Sequence, residues 1–142
     1  MKQHTTNYIN TFIEIAEDCP ILAAVIPAEK KQKTAAHREY EMIHGNPYKY
    51  TSDDVIYEIK GRGAGISREA FFSKEQPCFR ASALAKRYGW GIHSDKDGKI
   101  AIYAAGTEEY DRFSSNGSLR HLKAMRNKRD ERGNGENESK NL

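Results

Sequence analysis

Cysteine is scarce in this chain: Cys19 and Cys78 are the two among 142 residues. Neither belongs to a Cys-x-x-Cys pair, so they form no paired redox or metal motif; a cytoplasmic setting disfavours a structural disulfide, and a free buried thiol is the expected state of each. Leucine and valine are also few, and Leu, Ile, Val and Phe together make up 24 residues. So small a share would point to disorder in a highly charged chain, but the net charge is only +3. Eight tyrosines, one tryptophan and fifteen alanines add packing surface, enough for one modest, aromatic-rich core and too little for two domains. Long hydrophobic runs are missing. No stretch approaches the ~18 uncharged apolar residues of a membrane span, and the residues from Met1 through Tyr8 to Glu14 contain no apolar leader segment. The expectation is a cytoplasmic protein with no membrane partner.

Catalytic signatures are absent as well. Gly61-Arg62-Gly63-Ala64-Gly65 has neither the dinucleotide-binding nor the phosphate-loop spacing. Ser82 and Lys86 stand four apart, where a Ser-x-x-Lys pair needs three, and no nucleophile elbow occurs. Asp95-Lys96-Asp97-Gly98 lacks the later ligands of a calcium loop and reads as a hairpin turn. No cofactor is implied.

Charge is segregated along the chain. Residues 14–58 hold nine acids against five bases, and residues 60–93 hold seven Lys/Arg against two Glu. Residues 120–132 carry six Lys/Arg and two acids. Two basic stretches meeting on one face would suit RNA or single-stranded DNA; solvation and internal charge balance explain them as simply.

Element signals alternate along the chain. Tyr8 to Ile15 reads as a strand, ended before Pro20. A helix is predicted from Thr34 to Gly45, where Asn46-Pro47 stops it. Val55, Tyr57 and Ile59 alternate and predict a strand over 54–60, with a further short strand at Ala70 to Phe72. A helix is predicted over Arg80–Tyr88, then a hairpin joining Trp90–His93 to Lys99–Ala104 through Asp97-Gly98. Thr107 is placed to cap a short helix, and Ser118 to cap a basic terminal one. The sum is an α+β fold: one compact domain over residues 1–132, with several helices and a small, mainly antiparallel sheet of undetermined strand order. A disordered polar tail is expected over 133–142.

Three constellations are chemically suggestive. Arg80, Lys86, Arg87, Tyr88, Trp90 and His93 concentrate cations around aromatic residues within fourteen positions. Such a group suits a small anionic ligand or an exposed base and phosphate, provided the aromatics are not simply core. Cys78 is the candidate nucleophile of a small cysteine-dependent enzyme, with His93 as its base and Arg80 or Arg87 stabilising an anion. His37, Glu41 and His44 share a helical face but lack a fourth ligand, so a solvated face is the simpler reading and no metal is assigned.

The blocks His4-Thr5-Thr6-Asn7-Tyr8, Thr11-Phe12-Ile13-Glu14 and Ala16-Glu17-Asp18-Cys19-Pro20 are followed by Glu69-Ala70-Phe71-Phe72, Gln76-Pro77-Cys78 and Arg80-Ala81-Ser82. Lys86-Arg87-Tyr88-Gly89-Trp90-Gly91-Ile92-His93 and Lys123-Ala124-Met125-Arg126 complete the series. In these blocks, which reach to about residue 129, the chain resembles the domain of unknown function 6157 proteins, small soluble chains found chiefly in microbes. The resemblance implies a single domain and carries no catalytic roles. The functional expectation is a non-enzymatic binding domain for a small anionic ligand or a protein partner. Weak, non-specific RNA or single-stranded DNA binding and a small cysteine-dependent enzyme are the alternatives.

Overall fold

The computed structural model describes residues 3–28 and 34–128. Four strands form one sheet in the order β3-β2-β1-β4: β1 Thr11–Glu14, β2 Trp90–Ser94, β3 Ile100–Ala104 and β4 Arg120–Lys123. The β2–β3 hairpin forms where the Asp-Gly pair predicts it. Gly98 sits at φ +80°, a left-handed conformation that only glycine adopts without strain. The Asp95 carboxylate accepts the N–H groups of Asp97 and Lys99, each at 2.9 Å. β1 runs antiparallel to β2 and parallel to β4, with Thr11 opposite both Ser94 and Arg120. The fold is α+β, one compact domain with a mixed, mainly antiparallel sheet.

Helices α1 (Ala35–His44), α2 (Ser52–Ile56), α3 (Arg68–Phe71) and α4 (Ala83–Lys86) cover one face of this sheet. Ile13, Ile43, Val55, Leu84, Ile92 and Ile100 pack there at almost zero exposure. The opposite face is covered by α5 (Glu108–Ser114), whose Tyr110 and Phe113 rings meet Phe12 at 5.1 and 5.4 Å. The N-terminal segment is tied to α2 through the buried Asp53 carboxylate. It accepts the Thr5 hydroxyl at 2.6 Å and both the N–H and the hydroxyl of Thr6 at 2.7 Å.

Four predicted elements differ, and one of them, the helix predicted over Arg80–Tyr88, is broken at the extended Ser82 into a 3-10 turn, Phe79–Ala81, and the short α4. Residues 54–60 are helical: α2 continues into a π-helical turn, Tyr57–Gly61, and a 3-10 turn, Arg62–Ala64. The cause is a capping box, in which the Thr51 hydroxyl accepts the Asp54 N–H at 3.1 Å and the Asp54 carboxylate accepts the Thr51 N–H at 3.0 Å. Val55 and Ile59, four apart, fit a helix face as well as a strand face, so the alternation is ambiguous over so short a run. Ala70 and Phe71 lie in α3, capped by the Ser67 hydroxyl. The segment after Ser118 forms β4 because it finds the free edge of β1 and turns Leu122 into the core; long-range pairing overrides local helix preference. The rest of that predicted helix beyond Lys128, and the tail, lie outside the described residues.

Candidate functional site

The sequence-neighbouring cations and aromatics are not assembled into one cluster. Trp90 is 7% exposed; its indole N–H donates to the Val25 carbonyl at 2.8 Å, and its ring lies 5.3 Å from Tyr40 and 5.8 Å from His44. His93, three residues on along the same strand, faces the other side of the sheet, since side chains alternate. There its Nδ1 lies 2.7 Å from the Tyr48 hydroxyl and its ring 4.5 Å from Phe113. Arg80 holds β4, its Nε donating to the Lys123 carbonyl at 2.7 Å while its own carbonyl accepts the Met125 N–H at 2.8 Å. The Lys86 carbonyl accepts the Asn127 side chain, Tyr88 packs half-buried against the main core, and Arg87 borders a separate hollow with Asp18 and Asn127.

Cys78 and His93 have different partners. The Cys78 thiol lies 3.3 Å from the Tyr8 hydroxyl, in a small recess beside Glu39, Lys60 and Ser82. Burial and this thiol contact push the Tyr8 phenol above its ordinary value. His93 instead ends a chain in which Tyr48 also meets the Tyr103 hydroxyl at 2.8 Å. Burial drives the imidazole below its usual value, with Asp95 opposing, so the ring is neutral at neutral pH. Tyr48 itself sits at φ +59°, an uncommon conformation for a bulky residue. Of the helical triplet, His37 and Glu41 meet, Nε2 to the carboxylate at 3.4 Å, while His37 Nδ1 contacts the Pro27 carbonyl at 3.0 Å and the His44 ring stacks apart on Tyr40 at 4.9 Å. Among the described residues, no three His, Cys, Asp or Glu side chains are placed to hold a metal ion. The terminal cations are largely engaged within the fold, Lys123 with Glu14 at 3.4 Å and Arg126 with Glu17 at 3.6 Å, while Arg120 lies over the Tyr8 ring. Arg129 and Arg132 lie outside the described residues.

The structure instead opens a cleft of about 780 Å³ between α1 and the α2–α3 arm. Arg38, Glu41 and Met42 come from α1, Tyr50 and Asp54 from the approach to α2 and from α2 itself, Tyr57 and Glu58 from the π turn, and Arg62 and Arg68 from the segments after it. The π turn builds the wall: Gly61 has no side chain where a Cβ would stand 2.5 Å from the Tyr57 ring, and the Tyr57 hydroxyl donates to the Ile66 carbonyl at 2.7 Å. Such turns recur at functional sites. Arg62 reaches Glu58 at 3.1 Å, and Arg68 reaches Asp54 at 3.0 Å while lying over the Tyr57 ring. Burial works against the charge of Asp54, but the hydrogen bonds from Thr51 and Arg68 hold its carboxyl below the ordinary value. Arg38 makes one long contact, 3.5 Å to the Ile59 carbonyl, and no ion pair among the described residues.

A family model of unknown function, DUF6157, matches residues 3–130. The chain belongs to DUF6157. Comparison with curated proteins and with solved structures returns no match. The blocks that carry the likeness to DUF6157 mostly build the fold: Thr5 and Thr6 bind Asp53, Asp18 holds Asn127, and Arg80 holds β4. Sequence reasoning missed Arg38, Arg62 and Arg68, the first of which stands far along the chain from the other two. It also missed Glu39, a buried carboxyl on α1. No helix among the described residues is long and apolar enough to cross a membrane.

Proposed function

We propose that the protein is a binding domain whose ligand is a small anion held at Arg38. The state of that guanidinium carries the reading. It is half-buried in the cleft wall and, among the described residues, uses one of its five N–H donors, in a single contact at the 3.5 Å limit. A partly desolvated cation with open donors is stabilised by an anion that completes its hydrogen bonds. The other two arginines are each met by a carboxylate.

Thermal unfolding with acetate, benzoate, phosphate and pyrophosphate at matched ionic strength tests this. Ligand binding to the folded state raises Tm with concentration. At least one anion is expected to do so in the wild type and not in Arg38→Met. Equal shifts in both proteins, for every anion, would defeat the reading.

A further inference from the structure

We infer that the anion this cleft takes is a planar monocarboxylate, an inference that rests on Arg38 being the anion position. Charge count comes first. Arg62 and Arg68 are engaged by Glu58 and Asp54 at 3.1 and 3.0 Å, which leaves Arg38 as the arginine of this wall without an ion pair among the described residues. Glu41, Asp54 and Glu58 share the same wall. One open guanidinium matches one negative charge; Asp54 and Glu58 already balance the other two arginines, so a second charge on a ligand meets no further open arginine along the described wall.

Geometry narrows the class. A guanidinium is a planar fork whose paired donors fit the two oxygens of a carboxylate. The rest of the ligand would meet Tyr50, Tyr57 and Met42, which line the cleft, and the planar Arg68 guanidinium, which lies 5.8 Å over the Tyr57 ring. The Tyr57 ring is fixed at both ends, by its hydroxyl bond to Ile66 and by edge contact with Phe71 at 5.8 Å. A planar body therefore stacks without first ordering the wall, which lowers the entropic cost of binding. Among the described residues the cleft wall offers a polyphosphate no second arginine free of an ion pair.

Calorimetric titration of benzoate, acetate and pyrophosphate into wild type, Arg38→Met and Arg38→Lys decides the matter, with amide spectra locating the site and reporting the fold. Benzoate is expected to bind roughly tenfold or more tightly than either other anion, shifting the amides of residues 38–42 and 50–62. Arg38→Met should weaken it by roughly tenfold or more, and Arg38→Lys, which keeps the charge and loses the fork, by less. Pyrophosphate binding as tightly as benzoate, still dependent on Arg38, would overturn the monocarboxylate and leave the anion cleft standing. Acetate matching benzoate would overturn the planar body. If no anion's binding depends on position 38 in a variant that keeps the wild-type spectrum, both the inference and the cleft reading fall. Should Arg38→Met not fold, Arg38→Lys carries the same comparison.

Discussion

At 5% exposure on the inner side of α1, Glu39 accepts one short hydrogen bond, from the Ser82 hydroxyl at 2.6 Å, and has no ion pair among the described residues. Burial raises its carboxyl above the ordinary value, with Ser82 and Lys60 opposing. Below the ordinary carboxyl range both folded and unfolded chains keep the proton, and the group is neutral to stability. As pH climbs through that range the unfolded chain releases its proton first, so stability falls until pH passes the raised folded value. Glu39→Gln should therefore match the wild type in acid and become the more stable protein as pH rises towards 7. Urea midpoints across pH 3–8 check this, and parallel curves would refute it. Asp18 behaves in the opposite sense. Backbone N–H groups of Asn127 and Lys128 hold its carboxyl down to about 2, so its contribution is present above the ordinary range and is lost as pH falls towards 2.

The second helix and its π turn show how one cap sets a wall of the cleft. Thr51 accepts the Asp54 N–H, and Asp54 returns the bond while also meeting Arg68. Thr51→Ala removes one half of that reciprocal cap and should cost about 1 kcal/mol, read as a lower denaturant midpoint at unchanged slope. An unchanged midpoint would show the cap to be dispensable. Local signals of this kind divide what is legible in the sequence from what is not. The Asp97-Gly98 hairpin is legible because its geometry is decided within a few residues. The capping box at Thr51 and Asp54 was also present to be read, and it outweighs the alternation of Val55, Tyr57 and Ile59. The separation of Trp90 from His93 follows from strand parity once both are placed on β2. The cleft is different in kind: Arg38, Arg62 and Arg68 converge only because α1 packs beside the α2–α3 arm, and no local window contains that packing.

Across the whole molecule, the last described strand ties the chain together. β4 fills one edge of β1, turns Leu122 and Ala124 into the core, and continues to Asn127, which binds both Asp18 and the Lys86 carbonyl. A chain ending at Asn116 loses all of these and should lose its cooperative unfolding transition, as followed by circular dichroism and amide dispersion. A transition retained at the wild-type midpoint would contradict this. A nucleic-acid contribution from the terminal cations is therefore better sought by charge reversal at Arg120 and Lys128 than by truncation. The same topology bears on how the protein is made. β1, at residues 11–14, meets its first neighbour at 90–94 and its second at 120–123. On the ribosome its edges must wait for most of the described chain to emerge, and closing such long loops is slow. During that interval Phe12 and Ile13 are without their native partners, in a nascent segment open to chaperones and to aggregation.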